Sequence, residues 1–162
     1  MEVDHGAGTE VMIPPMFSSI VVGTDGSETA GKAVRAAADL AQSVGATLDI
    51  VSAYEPVSGQ RLREETRQAP GDTQWTINPR EDVESTLAEA AEAVDSSGLE
   101  VTTFAREGDP ADAILDVAEE RGADLIVVGN KGMTGAKRFL LGSVPNKVSH
   151  SAPCSVLIIR TT

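Results

Sequence analysis

Ala123-Asp-Leu-Ile-Val-Val128 runs directly into Gly129-Asn-Lys-Gly132-Met-Thr-Gly135-Ala-Lys-Arg-Phe-Leu-Leu-Gly142-Ser143. The first stretch is a short apolar run rich in β-branched residues, which predicts a strand buried on both faces, as in a parallel sheet. Gly129 then stands where that strand ends and the chain can turn sharply, the position at which open α/β sheets bind ligands. Gly129, Gly132 and Gly142 permit close approach of backbone to a ligand. Ser143 opens a helix whose unpaired N–H groups and positive dipole end favour an anion. The stretch therefore reads as a phosphate cradle.

The elements around it follow from spacing and caps. Ser18-Ser-Ile-Val-Val-Gly23 predicts a strand, and Thr24-Asp25-Gly26-Ser27 a turn that offers Ser27 as a helix N-cap. Ala30, Ala33, Val34, Ala37, Ala41 and Val44 then recur at helical spacing, with Gly45 as the stop. Thr47 to Ala53 reads as a second strand. Asn78-Pro79-Arg80-Glu81 is a helix start with Asn78 as cap, and that helix is expected to run to about Ser97, with Gly98 ending it. Leu99 to Ala105 predicts a third strand near a sheet edge, and Asp109-Pro110 caps a helix that stops at Gly122. A helix from Ser143 to Ser151 and a strand over 154–160 close the chain. Strands alternating with helices require right-handed crossovers, so the expected fold is a three-layer α/β/α sandwich. Its sheet is parallel and five-stranded.

Two segments lack this periodicity. Residues 1–16 read as a loose extension ahead of a single domain over 17–162, without the basic start and long apolar core of a secretory signal. Residues 55–78 are punctuated by Pro56, Gly59, Pro70 and Gly71 and read as a long polar loop with a short helix near 60–68. Its arginines either reach a bound phosphate or form a solvated face.

Composition narrows the function. The chain has 162 residues, 25 acidic and 13 basic, with a formal charge of −12. Such a field repels a polyphosphate backbone, so nucleic acid is not an expected partner. No apolar run is long enough to span a membrane. Cys154 is the single cysteine and lies in an apolar stretch, which argues against disulfides and suits a small buried hydrophobe in the reducing cytoplasm.

The glycine stretch is neither a Walker A sequence nor Gly-x-Gly-x-x-Gly. Its spacing, Gly129-x2-Gly132-x9-Gly142-Ser143, resembles the motif of the ATP-binding branch of the universal stress protein family. Val21-Val-Gly-Thr-Asp-Gly-Ser27, Gly108-Asp-Pro110 and Ala152-Pro-Cys-Ser-Val-Leu-Ile-Ile159 are similar to other parts of that family, so the resemblance covers nearly all of 18–160. It implies a Rossmann-like sheet of strand order 3-2-1-4-5. It also implies that Asp25 bonds the ribose or adenosine, with Gly23 and Thr24 on the same wall and Ala53 against adenine. Val128, Gly129, Lys131 and Gly132 would border the ribose and phosphates, and Gly142, Ser143 and Val144 would give N–H groups and a hydroxyl to the phosphate chain. Simpler roles stand beside these: Asp25 as a turn residue or cap, the glycines as turns, and Lys131, Lys137 and Arg138 as a solvated basic face.

The expected function is ATP binding in stress response or signalling, with a divalent metal such as Mg accompanying the triphosphate. No Ser-His-Asp set, carboxylate pair or metal-ligand cluster is visible in the sequence, so an enzyme is not expected beyond slow hydrolysis or self-phosphorylation. Cyclic AMP or AMP is the alternative ligand, because Gly142-Ser-Val-Pro-Asn-Lys-Val148 is similar to a branch with cyclic AMP binders. An interaction module with incidental nucleotide is another alternative. The resemblance implies a homodimer paired through strand 154–160.

Overall fold

The computed structural model describes residues 15–54, 79–95, 98–130 and 141–161, and in these the expected alternation of strands and helices is present. The order is β1 (Ser19–Gly23), α1 (Glu28–Val44), β2 (Thr47–Tyr54), α2 (Pro79–Ala93), β3 (Val101–Glu107), α3 (Pro110–Arg121), β4 (Leu125–Gly129), α4 (Ser143–Ser151) and β5 (Ser155–Ile159). All strands pair in parallel, in the order β3-β2-β1-β4-β5. The expected short helix near 60–68, the Asn78 cap and most of the N-terminal extension lie outside the described residues.

Period-two alternation in the central strands divides the core. Ile20 and Val22 of β1 and Leu125 and Val127 of β4 face α1 and α2, where they meet Ala33, Ala37, Ala41 and Leu87. Val21, Ile126 and Val128 face the opposite layer, against Ala111, Ile114 and Val117 of α3 and Val148 of α4. Ala33, Ala37 and Ala41 are fully buried, and their small side chains let α1 lie close on the sheet. Caps read from the sequence fix the helix limits: Ser27 Oγ accepts from Ala30 N–H at 3.1 Å. Gly45 and Gly122 end α1 and α3 in the left-handed region, at φ 74° and 62°, where a Cβ is costly.

Some limits differ from expectation. β3 covers Val101–Glu107 rather than 99–105, because it follows β2 in register from Leu48↔Val101 to Tyr54↔Glu107. α2 ends at Ala93 rather than near Ser97; Val94, one residue on, still buries its side chain in the core. Cys154 is only half-buried, immediately before β5 rather than within it. Burial, and then the nearby Asp124 carboxylate, push its thiol pKa up, so the neutral form is favoured.

Among the described residues, one charge sits inside. Asp49 on β2 is fully buried and receives Arg121 Nε at 3.0 Å from the end of α3. A buried carboxylate is tolerable only when paired in this way. The same guanidinium lies 5.5 Å from the Phe104 ring centroid, so it also covers an aromatic face at the sheet edge.

Candidate functional site

The sheet reverses its winding between β1 and β4, which pair directly through Val22↔Val127. Chains leaving these two strands diverge to opposite layers, and the crevice outside their carboxyl ends is where such sheets hold ligands. Gly23, Thr24 and Asp25 leave β1 there, and Val128 and Gly129 end β4. Ala53 lies beyond the Gly23↔Val51 pair on β2.

Four of these residues have local work as well. A Cβ on Gly23 would run into Ile114 of α3, so this glycine lets the helix approach the strand. Thr24 N–H donates to the Val51 carbonyl at 2.9 Å, extending the β1–β2 ladder, and its Oγ1 accepts from Gly26 N–H at 3.1 Å. Asp25 Oδ1 accepts from Ser27 N–H at 2.9 Å, so the turn role expected of this carboxylate is present. Asp25 is nonetheless exposed at the rim of the crevice. Val128 buries its side chain in the core and offers the crevice only its backbone.

The opposite wall is the start of α4. Its N-cap is Gly142, which has no side chain to cap the helix. Asn146 N–H bonds back to the Gly142 carbonyl at 3.1 Å, and Pro145 has no N–H. The orphan donors of this end are therefore Ser143 and Val144, which donate to no described residue. Two N–H groups, a neighbouring hydroxyl and a helix dipole together suit one phosphate. Gly142 is itself held to the end of β4, its N–H donating to the Asn130 carbonyl at 2.9 Å.

α4 is tied to its neighbour by Lys147, whose Nζ lies 2.8 Å from Asp112 Oδ1 and 3.4 Å from Asp109 Oδ1. The hydrogen bond to Asp112 is the main reason its pKa is raised, with Asp109 adding to it. Asp109 is held below the usual carboxylate range, chiefly by the backbone N–H of Asp112. This lysine is therefore engaged by carboxylates rather than aimed at the crevice.

Gly23, Thr24, Asp25, Ala53, Val128, Gly129, Gly142, Ser143 and Val144 thus lie around the carboxyl ends of the central strands. Lys131 and Gly132, with Lys137 and Arg138, lie outside the described residues. Asn130, Thr161 and Lys147 escape sequence reading, because their partners are distant in the chain; a polar residue directly after a buried strand is the only local hint at Asn130. A separate cavity of about 430 Å³ opens between α1 and α2, lined among others by Thr24, Arg35, Thr86 and Glu89. It lies in the other helical layer from α4, and the helix start in its lining, Ser27 and Glu28 of α1, is already capped by the Ser27 side chain.

A parallel sheet whose switch point faces a glycine-capped helix start belongs to the Rossmann-like α/β proteins. Comparison with known proteins narrows the class: the universal stress protein family model matches residues 16–160, and the chain belongs to that family. It is 38% identical over 149 residues to universal stress protein Rv1636 of Mycobacterium tuberculosis, covering 90% of this chain and 98% of that protein. It is 35% identical over 153 residues to universal stress protein YxiE of Bacillus subtilis, covering 90% and 100%. Among solved structures, a universal stress protein in complex with cAMP superposes with a TM-score of 0.67 at 32% identity, covering 90% of this chain and 98% of that one. The universal stress protein from Archaeoglobus fulgidus in complex with dAMP gives a TM-score of 0.61 at 26% identity, covering 90% and 99%.

Proposed function

We propose that this protein binds an adenine nucleotide in a stress-response or signalling role, with the nucleoside at the ends of β1 and β2 and the phosphate at the start of α4. The observation that carries this reading is the glycine-capped start of α4 beside the β1–β4 switch point, where the Ser143 and Val144 N–H groups donate to no partner among the described residues. The spacing Gly129-x2-Gly132-x9-Gly142-Ser143 favours ATP, with Mg accompanying the triphosphate. A second reading, cyclic AMP or AMP, draws support from the neighbour solved with cAMP. One helix start provides for one phosphate, which also suits this alternative.

Identifying the nucleotide released from denatured protein, followed by calorimetric titration with ATP and cyclic AMP, separates the two. Tighter ATP binding supports the first reading. Far tighter cyclic AMP binding replaces it with the second, and no binding of either removes both. The role proposed is retention rather than turnover: intact nucleotide should persist on the protein, whereas repeated ATP cleavage within minutes would make it an enzyme.

β5 forms one edge of the sheet, with Leu157 and Ile158 each 38% exposed. Exposed apolar edges are hazards unless paired, so pairing with β5 of a second copy is the proposed homodimer contact. Ile158→Lys should shift the protein to monomer in sedimentation; an unchanged dimer would rule out this interface. The proposed compartment is the cytoplasm, where the lone thiol of Cys154 stays reduced. Among the described residues, no helix is long and apolar enough to cross a membrane.

A further inference from the structure

We infer that Asn130 and Thr161 form a clasp that positions the start of α4 for phosphate, which makes the chain after β5 part of the binding machinery. The inference rests on the nucleotide reading above. Asn130 is the first residue after β4, and its groups reach three other residues. Its N–H donates to the Ile159 carbonyl at 2.9 Å, and its own carbonyl accepts from Gly142 N–H at 2.9 Å. Its Oδ1 accepts twice from Thr161, from the backbone N–H at 2.8 Å and from Oγ1 at 3.0 Å.

Thr161 is 4% exposed, although it lies beyond the last strand. Its carbonyl accepts from Lys32 Nζ of α1 at 3.3 Å, so the tail is held from two sides. A buried hydroxyl must be hydrogen-bonded, and the Asn130 carboxamide oxygen satisfies it together with the adjacent N–H. A carboxamide that accepts two bonds is also restrained in rotation. That restraint, with the Ile159 bond, fixes the direction of the Asn130 carbonyl, and the carbonyl fixes Gly142. Ser143 and Val144 follow Gly142 directly, so the clasp determines where their N–H groups point. Asn130 is thus a positioning residue that need not touch the ligand.

A purely structural role would weaken every ligand alike, whereas a role in placing α4 weakens only those bearing phosphate. The test is calorimetric titration of the full chain with adenosine and with AMP. Wild-type protein should bind AMP more tightly than adenosine. Asn130→Ala should weaken AMP about tenfold, equivalent to ~1.4 kcal/mol, and leave adenosine within about twofold. Thr161→Val removes only the hydroxyl and should weaken AMP about threefold, a loss that Thr161→Ser restores. Equal losses for adenosine and AMP, or folded variants with wild-type AMP affinity, would overturn the clasp. If Asn130→Ala does not fold, the Thr161 pair decides by the same criterion. Wild-type protein that does not prefer AMP to adenosine would overturn the phosphate site itself, and the clasp with it.

Discussion

The helices α3 and α4 lie side by side on one face of the sheet, yet they begin in opposite ways. α3 opens on Asp109, whose Oδ1 accepts from the N–H groups of Ala111 and Asp112 at 3.0 and 3.1 Å. α4 opens on Gly142, with nearly the same extended backbone, φ −61° and ψ 164° against −65° and 134° at Asp109. The first helix carries its own anion. The second has two donors with no partner among the described residues, and it has them beside the switch point between β1 and β4. A helix start is available to a ligand only if the chain leaves it uncapped.

The comparison breaks most severely if α4 is given the cap of α3. Gly142→Asp suits the backbone found there and places a carboxylate at the Val144 N–H, the counterpart of Ala111 in α3, beside the uncapped Ser143 N–H. Nucleotide affinity should fall roughly 100-fold or more, since like charges brought together at a binding site cost several kcal/mol. Stability should stay level or rise by a few tenths of a kcal/mol, as for Gly replaced by a better N-cap. Titration calorimetry beside thermal unfolding checks both, and loss of affinity through unfolding would count against the account.

Removing the cap of α3 is the converse. Asp109→Ala should lower stability by about 1 kcal/mol in urea unfolding, with a much smaller change in nucleotide affinity. The cap of α3 is also a charge, so it titrates. The Asp109 carboxyl is held low chiefly by Asp112 N–H. The carboxyl of Asp124 is also low, because bonds from Ser18 and Ser19 outweigh the burial that would raise it. For groups depressed on folding, the stabilisation is complete above the unfolded value, near 3.9, and is lost as pH falls through the folded value. Stability should therefore decline below about pH 4, and Asp124→Asn should flatten the decline in acid-unfolding curves; an unchanged slope would refute that assignment.

The smallest effect is expected where the two helices are joined. Lys147→Ala removes an exposed contact to Asp109 and Asp112, and such pairs contribute little. The melting temperature should drop slightly at low salt and less at high salt, measured by scanning calorimetry at two ionic strengths.

Much of this is legible in the sequence, because strands, caps and glycine stops are local signals. Ser27, Asp109, Gly45 and Gly122 act as their neighbours predict. The limits of β3 are less legible, since they follow from register with β2 rather than from the segment itself. The crevice is readable as a set of strand ends, but the bonds that hold it are not. Asn130 and Thr161 are 31 residues apart, and Asp49 and Arg121 are 72 apart. Nothing in the local pattern announces such partners until the sheet brings them together.

The most direct measurement is the amide proton–nitrogen spectrum of the protein titrated with AMP and, separately, with adenosine. The difference between the two isolates the phosphate. It should be largest at Gly142, Ser143 and Val144, and small at Ala111 and Asp112, whose N–H groups are already taken. A difference centred on the start of α3, or spread evenly over the strand ends, would contradict the assignment of the phosphate to the start of α4.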